Sequence, residues 1–171
     1  MEITNKKQKN LFLACGIPGA GKSTWLAAQN DFEIVSRDTI RFALLRDGDD
    51  YFSKEDEVIN RFFHFLRDAI NELRKPANVC ADATHLTPKA RSKTLRAIGK
   101  EGVSKIIALS FEIPLEVALE RNAQRTGRSR VPNTVIKNMY YSWVIPKLNE
   151  GFDEIWHIDA EGNVRKEIKN G

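Results

Sequence analysis

Gly16-Ile17-Pro18-Gly19-Ala20-Gly21-Lys22-Ser23-Thr24 fits the pattern G-x-x-x-x-G-K-[ST], and no other stretch constrains the fold of this chain as tightly. Glycines at these spacings let successive backbone N–H groups turn toward one phosphate, and a mobile ammonium and a hydroxyl follow them. Gly16, Gly19, Ala20, Gly21, Lys22, Ser23 and Thr24 are therefore the expected ATP-binding residues, with Ser23 the expected Mg²⁺ ligand. The context agrees with the motif. Residues 11–15 form an apolar run that reads as a buried strand, and residues 23–29 read as a helix whose positive end faces the anion.

The chain has 171 residues, enough for one good core, so a single domain over 1–171 is expected, with 159–171 as a polar tail. No apolar run is long enough to cross a bilayer, and the first nine residues lack the apolar centre of a signal peptide, which points to a cytoplasmic chain without membrane contact. Cys15 and Cys80 each lie inside an apolar run and read as core filling. A net charge of +4 suits an acidic partner without demanding one.

Strands are expected at 32–36, 77–81, 103–111 and 153–158, beside the one at 11–15. Helices are expected between them: 39–45, a long one after Ser53, 88–100, 114–124 and 132–143. Ser53 with Asp56 resembles a helix start, and Thr87-Pro88 resembles an N-cap with proline at the first helical position. In the long helix Val58, Phe62, Leu66, Ala69 and Leu73 recur at helical spacing, with Ile59, Phe65 and Ile70, so its aromatics are assigned to packing. Alternating strands and helices imply a parallel sheet of about five strands in a three-layer α/β fold, with ligands at the carboxyl ends of the strands.

Gly16, Asp38 and Asp82 all fall at such ends. Asp38 is a general base for an attacking hydroxyl on one reading and a helix cap on the other. Arg41 lies three residues on, on the same helical face, and reads as an anion contact or a surface residue. Asp82 suits water-mediated Mg²⁺ binding, an acceptor contact or ordering of the cleft; Thr84 and His85 beside it are acceptor candidates. Arg121, Arg125, Arg128 and Arg130 around Thr126-Gly127 look like a lid over the phosphates, while Arg128 and Arg130 fit a solvated basic face equally well.

GIPGAGKST, SRDTIR, ADATHLTP and RNAQRTGRSRVP, in this order, resemble the 5′-kinase domain of phage-type polynucleotide kinases over residues 11–143. The chain is also similar to the wider zeta-toxin-like P-loop kinases. The resemblance implies a P-loop NTPase fold with a helical lid, ATP and Mg²⁺ as cofactors, and a 5′-hydroxyl nucleic-acid end as acceptor. It implies that Lys22 and Ser23 hold phosphates and metal, with Mg²⁺ also reached from Asp38 or Asp82 through water. It makes Asp38 the base, Arg41 the contact to the acceptor's 3′-phosphate, and Arg125 the lid residue on ATP. Arg37, Asp82, Thr84 and His85 complete the implied acceptor side. His85 departs from the family's common Asn, and the segment before Val131-Pro132 is one residue longer.

Overall fold

The computed structural model describes residues 8–72 and 76–170, so Leu73 and the first seven residues lie outside the described part. Its strands are β1 (Lys9–Cys15), β2 (Phe32–Ser36), β3 (Asn78–Asp82), β4 (Val103–Phe111), β5 (Glu154–Ile158) and β6 (Val164–Ile168). They form one sheet in the order β2-β3-β1-β4-β5-β6. Neighbours pair in parallel except β6, which lies antiparallel to β5. The helices are α1 (Lys22–Ala27), α2 (Arg37–Leu44), α3 (Glu55–Asn71), α4 (Pro88–Ile98), α5 (Leu115–Ala123) and α6 (Asn133–Ser142).

The two-residue period of β1 builds both layers of the core. Leu11, Leu13 and Cys15 meet Val58, Phe62 and Leu66 of α3, whereas Phe12 and Ala14 face Leu26 of α1, Ala118 of α5 and Ile136 of α6. Cys15 and Cys80 are free, buried thiols in that core. Among the described residues no helix is long and apolar enough to cross a membrane.

Three local expectations change. Within the expected polar tail, residues 159–170 hold a turn and a sixth strand: Asp159 Oδ1 accepts the backbone N–H of Glu161 at 3.0 Å and of Asn163 at 2.9 Å, and the turn feeds β6. Every residue of β6 is exposed, so the strand carries no apolar alternation. Ser53 does not cap α3, because its hydroxyl donates to the Asp50 carbonyl at 2.7 Å. α3 starts instead at Glu55, with Glu55, Asp56 and Glu57 against its positive end. Phe65 is 43% exposed and leaves the packed face of that helix. Thr87 does cap α4, its hydroxyl accepting the Ala90 N–H at 3.2 Å.

Candidate active site

Register places Asp82 beside Ala14 of β1 and beside Ser36 of β2, so three strand ends stand together. The loops that leave them surround a cleft of about 760 Å³. β1 leads to the glycine loop, β2 to Arg37 and Asp38, and β3 to Ala83 and Thr84.

Gly19, Ala20, Lys22 and Ser23 line the cleft, while Gly16 is buried beneath it and donates its N–H to the Thr84 carbonyl at 2.8 Å. Gly21 and Thr24 lie off the lining, Thr24 on the exposed side of α1. Gly19 has φ 84°, and a Cβ there would stand 2.6 Å from the Ala118 carbonyl oxygen of α5. Protein packing therefore demands this glycine before any phosphate does. Gly19→Ala is expected to cost about 1–3 kcal/mol of stability, read as a lower urea midpoint; an unchanged midpoint would show that the loop rearranges freely.

The Lys22 ammonium donates to the loop's own carbonyls, Gly16 at 2.7 Å and Ile17 at 3.2 Å. Burial lowers its pKa, against the pull of the Asp82 and Asp38 carboxylates. A partly desolvated cation hydrogen-bonded, among the described residues, to two neutral carbonyls at the mouth of a glycine loop fits a nucleotide phosphate. Ser23 on the lining and Asp82, whose carboxyl burial pushes above its ordinary range, are oxygen ligands of the type Mg²⁺ takes.

The lid is a short turn, Gly127–Ser129, between α5 and α6. Asn122, wholly buried, fixes its far end by donating to the Val131 carbonyl at 2.6 Å and accepting the Val131 N–H at 2.9 Å. Arg125 lines the cleft with one long contact, 3.4 Å to the Ser129 carbonyl. Arg128 donates to the Arg46 carbonyl at 2.7 Å, fastening the lid to the α2–α3 loop, so it is more than a solvated charge. Arg130 also lines the cleft, but Arg121 does not; it donates to the Ala160 carbonyl at 2.6 Å beyond β5.

Across the cleft, Ser36 rather than Asp38 caps α2, its hydroxyl accepting the Thr39 N–H at 3.2 Å. The cap reading of Asp38 therefore falls. Its carboxylate is 62% exposed at the cleft and accepts from the Tyr51 phenol at 2.8 Å and from Arg41 Nη1. Burial, reinforced by Asp38, pushes the Tyr51 phenol up to about 12, so it stays a donor.

Arg41 requires the largest correction. It lines the cleft but is only 4% exposed, its guanidinium turned to protein partners. Nη2 meets Glu55 Oε1 at 2.9 Å and Oε2 at 2.8 Å, and Nε meets Oε2 at 3.2 Å. Nη1 serves Tyr51 Oη at 2.9 Å and Asp38. All three guanidinium nitrogens are engaged by protein partners. Sequence reasoning missed Tyr51 and Glu55, whose partners lie 10 to 14 residues away along the chain. Their only sequence signal is an aromatic and an acid after the polar turn at 46–50.

Residues 11–143 match the family model described as an AAA domain. The chain belongs to this AAA-domain family. It is 29% identical to the L-seryl-tRNA(Sec) kinase of Methanococcus maripaludis over an alignment of 182 positions, covering 92% of this chain and 69% of that protein. Among solved structures it is similar to a chain of the Pnkp1/Rnl/Hen1 RNA repair complex, with TM-score 0.65 and 19% identity, covering 83% of this chain and 46% of the other. A gluconokinase from Sinorhizobium meliloti gives TM-score 0.56 and 17% identity, covering 90% and 84%. At these identities both structures testify to the fold alone, and the chain spans less than half of the RNA repair chain it matches.

In this AAA-domain chain His85, expected on the acceptor side, is turned away from the cleft and braces the strand ends. It is 3% exposed, takes a left-handed φ of 43°, and does not line the cleft. Its Nδ1–H donates to the Ala14 carbonyl at 2.8 Å, which leaves Nε2 of the neutral ring to accept from the Thr94 hydroxyl at 2.9 Å. Arg91, wholly buried, donates to the His85 carbonyl at 2.8 Å and pairs with Glu150 at 2.7 Å. The brace holds the β3 exit, and with it Asp82 and Thr84, against the end of β1.

Burial lowers the His85 pKa from 6.5 to about 3. The unfolded chain therefore takes up a proton below pH 6.5 that the folded chain refuses, and stability falls as pH drops through that window. The slope from this group approaches about 1.4 kcal/mol per pH unit. Urea midpoints of His85→Asn should fall less steeply between pH 6 and about 4 than those of the wild type. Parallel slopes would show that the ring protonates in place.

Proposed function

We propose that the protein is an ATP-dependent kinase that moves the γ-phosphoryl group to the 5′-hydroxyl of a nucleic acid or of a nucleoside 3′-phosphate. One observation carries this reading: across the cleft from the glycine loop, Asp38 already accepts a hydrogen bond from a hydroxyl, that of Tyr51, at 2.8 Å. An acceptor hydroxyl in the same relation to Asp38 is oriented for attack and has a base for its proton. As the acceptor oxygen bonds to the γ-phosphorus, its proton passes to Asp38, the bond to the β–γ bridging oxygen breaks, and ADP departs.

Lys22 supplies charge to the β- and γ-phosphates, backbone N–H groups from Gly19 to Ser23 cradle them, and Arg125 closes from the lid. Mg²⁺, held by Ser23 and through water by Asp82 or Asp38, would neutralise phosphate charge when bound. Arg41 and Tyr51 hold the base, and Thr84 lines the acceptor side.

Charge favours a nucleic-acid acceptor over a neutral alcohol. Five arginines, Arg37, Arg41, Arg125, Arg128 and Arg130, line the cleft with Lys22, against Asp38, Asp49, Asp82 and Glu55. The similarity to an L-seryl-tRNA(Sec) kinase supports the same reading. ADP release measured with 5′-hydroxyl oligonucleotides, the same strands already 5′-phosphorylated, and a panel of sugars tests the proposal. Stimulation by the 5′-hydroxyl strands alone is expected. Stimulation by sugars alone would make it a metabolite kinase, and binding of ATP without any stimulation would make it a nucleotide-switched module.

A further inference from the structure

α4 leaves the acceptor side of the cleft with its charges sorted by face. Thr84, just past β3, lines the cleft, and the helix that follows carries Lys89, Lys93 and Arg96 at positions i, i+4 and i+7, with Lys100 just past its end. All four side chains are exposed, and among the described residues none has a hydrogen-bonded or ion-paired partner. The remaining cation of the helix, Arg91, turns inward to Glu150. On the exposed face of α3, by contrast, Arg61 and His64 each stand against a carboxylate one turn away, Glu57 at 2.7 Å and Asp68 at 3.3 Å.

The surroundings of the row are also free of opposing charge. The chain holds no acidic residue between Asp82 and Glu101, and none between Glu120 and Glu150. The second of these stretches contains the lid arginines, and it meets the first where the Val144 N–H donates to the Leu86 carbonyl at 2.9 Å, three residues before Lys89. Chain without carboxylates thus extends from the lid and the cleft rim onto α4. Like charges one helical turn apart repel each other, and a polyanion laid along them relieves that repulsion.

We propose that the row Lys89, Lys93 and Arg96 is a docking track for the phosphate backbone of the acceptor strand, beyond the nucleotide that enters the cleft. The inference rests on the polynucleotide reading above and adds to it how the body of the strand is held. From Lys89 to Arg96 the helix rises about 10 Å, which matches about three phosphates at roughly 3.4 Å of axis for each phosphate of a strand. Contacts to phosphate position a strand without reading its bases, so the track takes any sequence. An anionic membrane fits the row less well, because a helix lying on lipid turns an apolar face to it, and α4 exposes no large apolar side chain.

Two acceptors separate the track from the cleft: a single-stranded 5′-hydroxyl oligonucleotide, and a nucleoside 3′-monophosphate too short to reach α4. The wild type should have the higher kcat/KM on the strand, and its affinity for the strand should fall steeply with salt. Lys89→Gln, Lys93→Gln and Arg96→Gln combined should flatten the slope of log affinity against log salt by about 2 to 3, and each alone by about 1. The combined variant should lose about 10-fold or more in kcat/KM on the strand at low salt, through KM, and keep its kcat/KM on the monophosphate, which also reports that it is folded. Arg165→Gln, Lys166→Gln and Lys169→Gln combined remove equal charge around β6 and should leave slope and preference unchanged. An equal loss in that variant would reduce the effect to net charge and overturn the inference. So would a wild type that phosphorylates both acceptors equally well, or α4 variants, single and combined, that keep the wild-type slope; in either case the polynucleotide reading stands. Phosphatidylserine vesicles that sediment the wild type but not the α4 variant, with strand affinity equal in the two, would make the row a membrane contact instead. Transfer to sugars with none to any 5′-hydroxyl would overturn both.

Discussion

Lys22→Ala is expected to lower phosphoryl transfer by about 10²-fold or more, since groups that meet charge developing in the transition state are worth at least that much in a water-poor site. The side chain is only partly exposed, and its bonds in the structure run to two carbonyls of its own loop, Gly16 and Ile17. Removing it therefore breaks no ion pair among the described residues, and the fold should survive. Thermal unfolding beside steady-state transfer checks this: the expected result is a small change in Tm with a severe loss of kcat/KM. Near-normal turnover would remove Lys22, and with it the glycine loop, from the mechanism.

Asp38→Asn should slow transfer by roughly 10²- to 10⁴-fold. The amide oxygen still accepts from Tyr51 and Arg41, so the shape of the acceptor half is preserved while the basicity is lost. ATP affinity, measured by equilibrium binding, should stay close to that of the wild type. A variant that loses ATP binding instead would make Asp38 a metal or structural residue. Together these outcomes would divide the cleft into a half that carries charge on the nucleotide and a half that prepares the hydroxyl.

What the sequence made legible follows physical range. β4 was bounded at Val103 and Phe111 because a continuous apolar run belongs to a strand buried on both faces, and Thr87-Pro88 marked the start of α4 because cap and ring are local devices. The glycine loop was readable for the same reason: its demands are met within nine residues. β6 was not, since an all-exposed edge strand is held by backbone pairing with β5 and leaves no pattern in its side chains.

At the site, the strand ends were legible and the side-chain partners were not. Asp38 and Arg41 share a helical face as their spacing required, yet the state of Arg41 is decided by Glu55, fourteen residues away on another helix. His85 sits next to the cleft in sequence but turns inward on a left-handed backbone, where its two ring nitrogens meet Ala14 and Thr94. The guanidinium of Arg37 likewise lies over the Phe62 ring, a contact that no local pattern announces.

The central claim is that the γ-phosphoryl group of ATP ends on a 5′-terminal hydroxyl. Incubating the protein with γ-labelled ATP and a mixture of 5′-hydroxyl oligonucleotides and small polyols, then digesting the strands to mononucleotides, tests it directly. The account predicts label recovered only in the 5′-terminal nucleotide, at one phosphate per strand end. Label found on the polyols with none on the strands would contradict it.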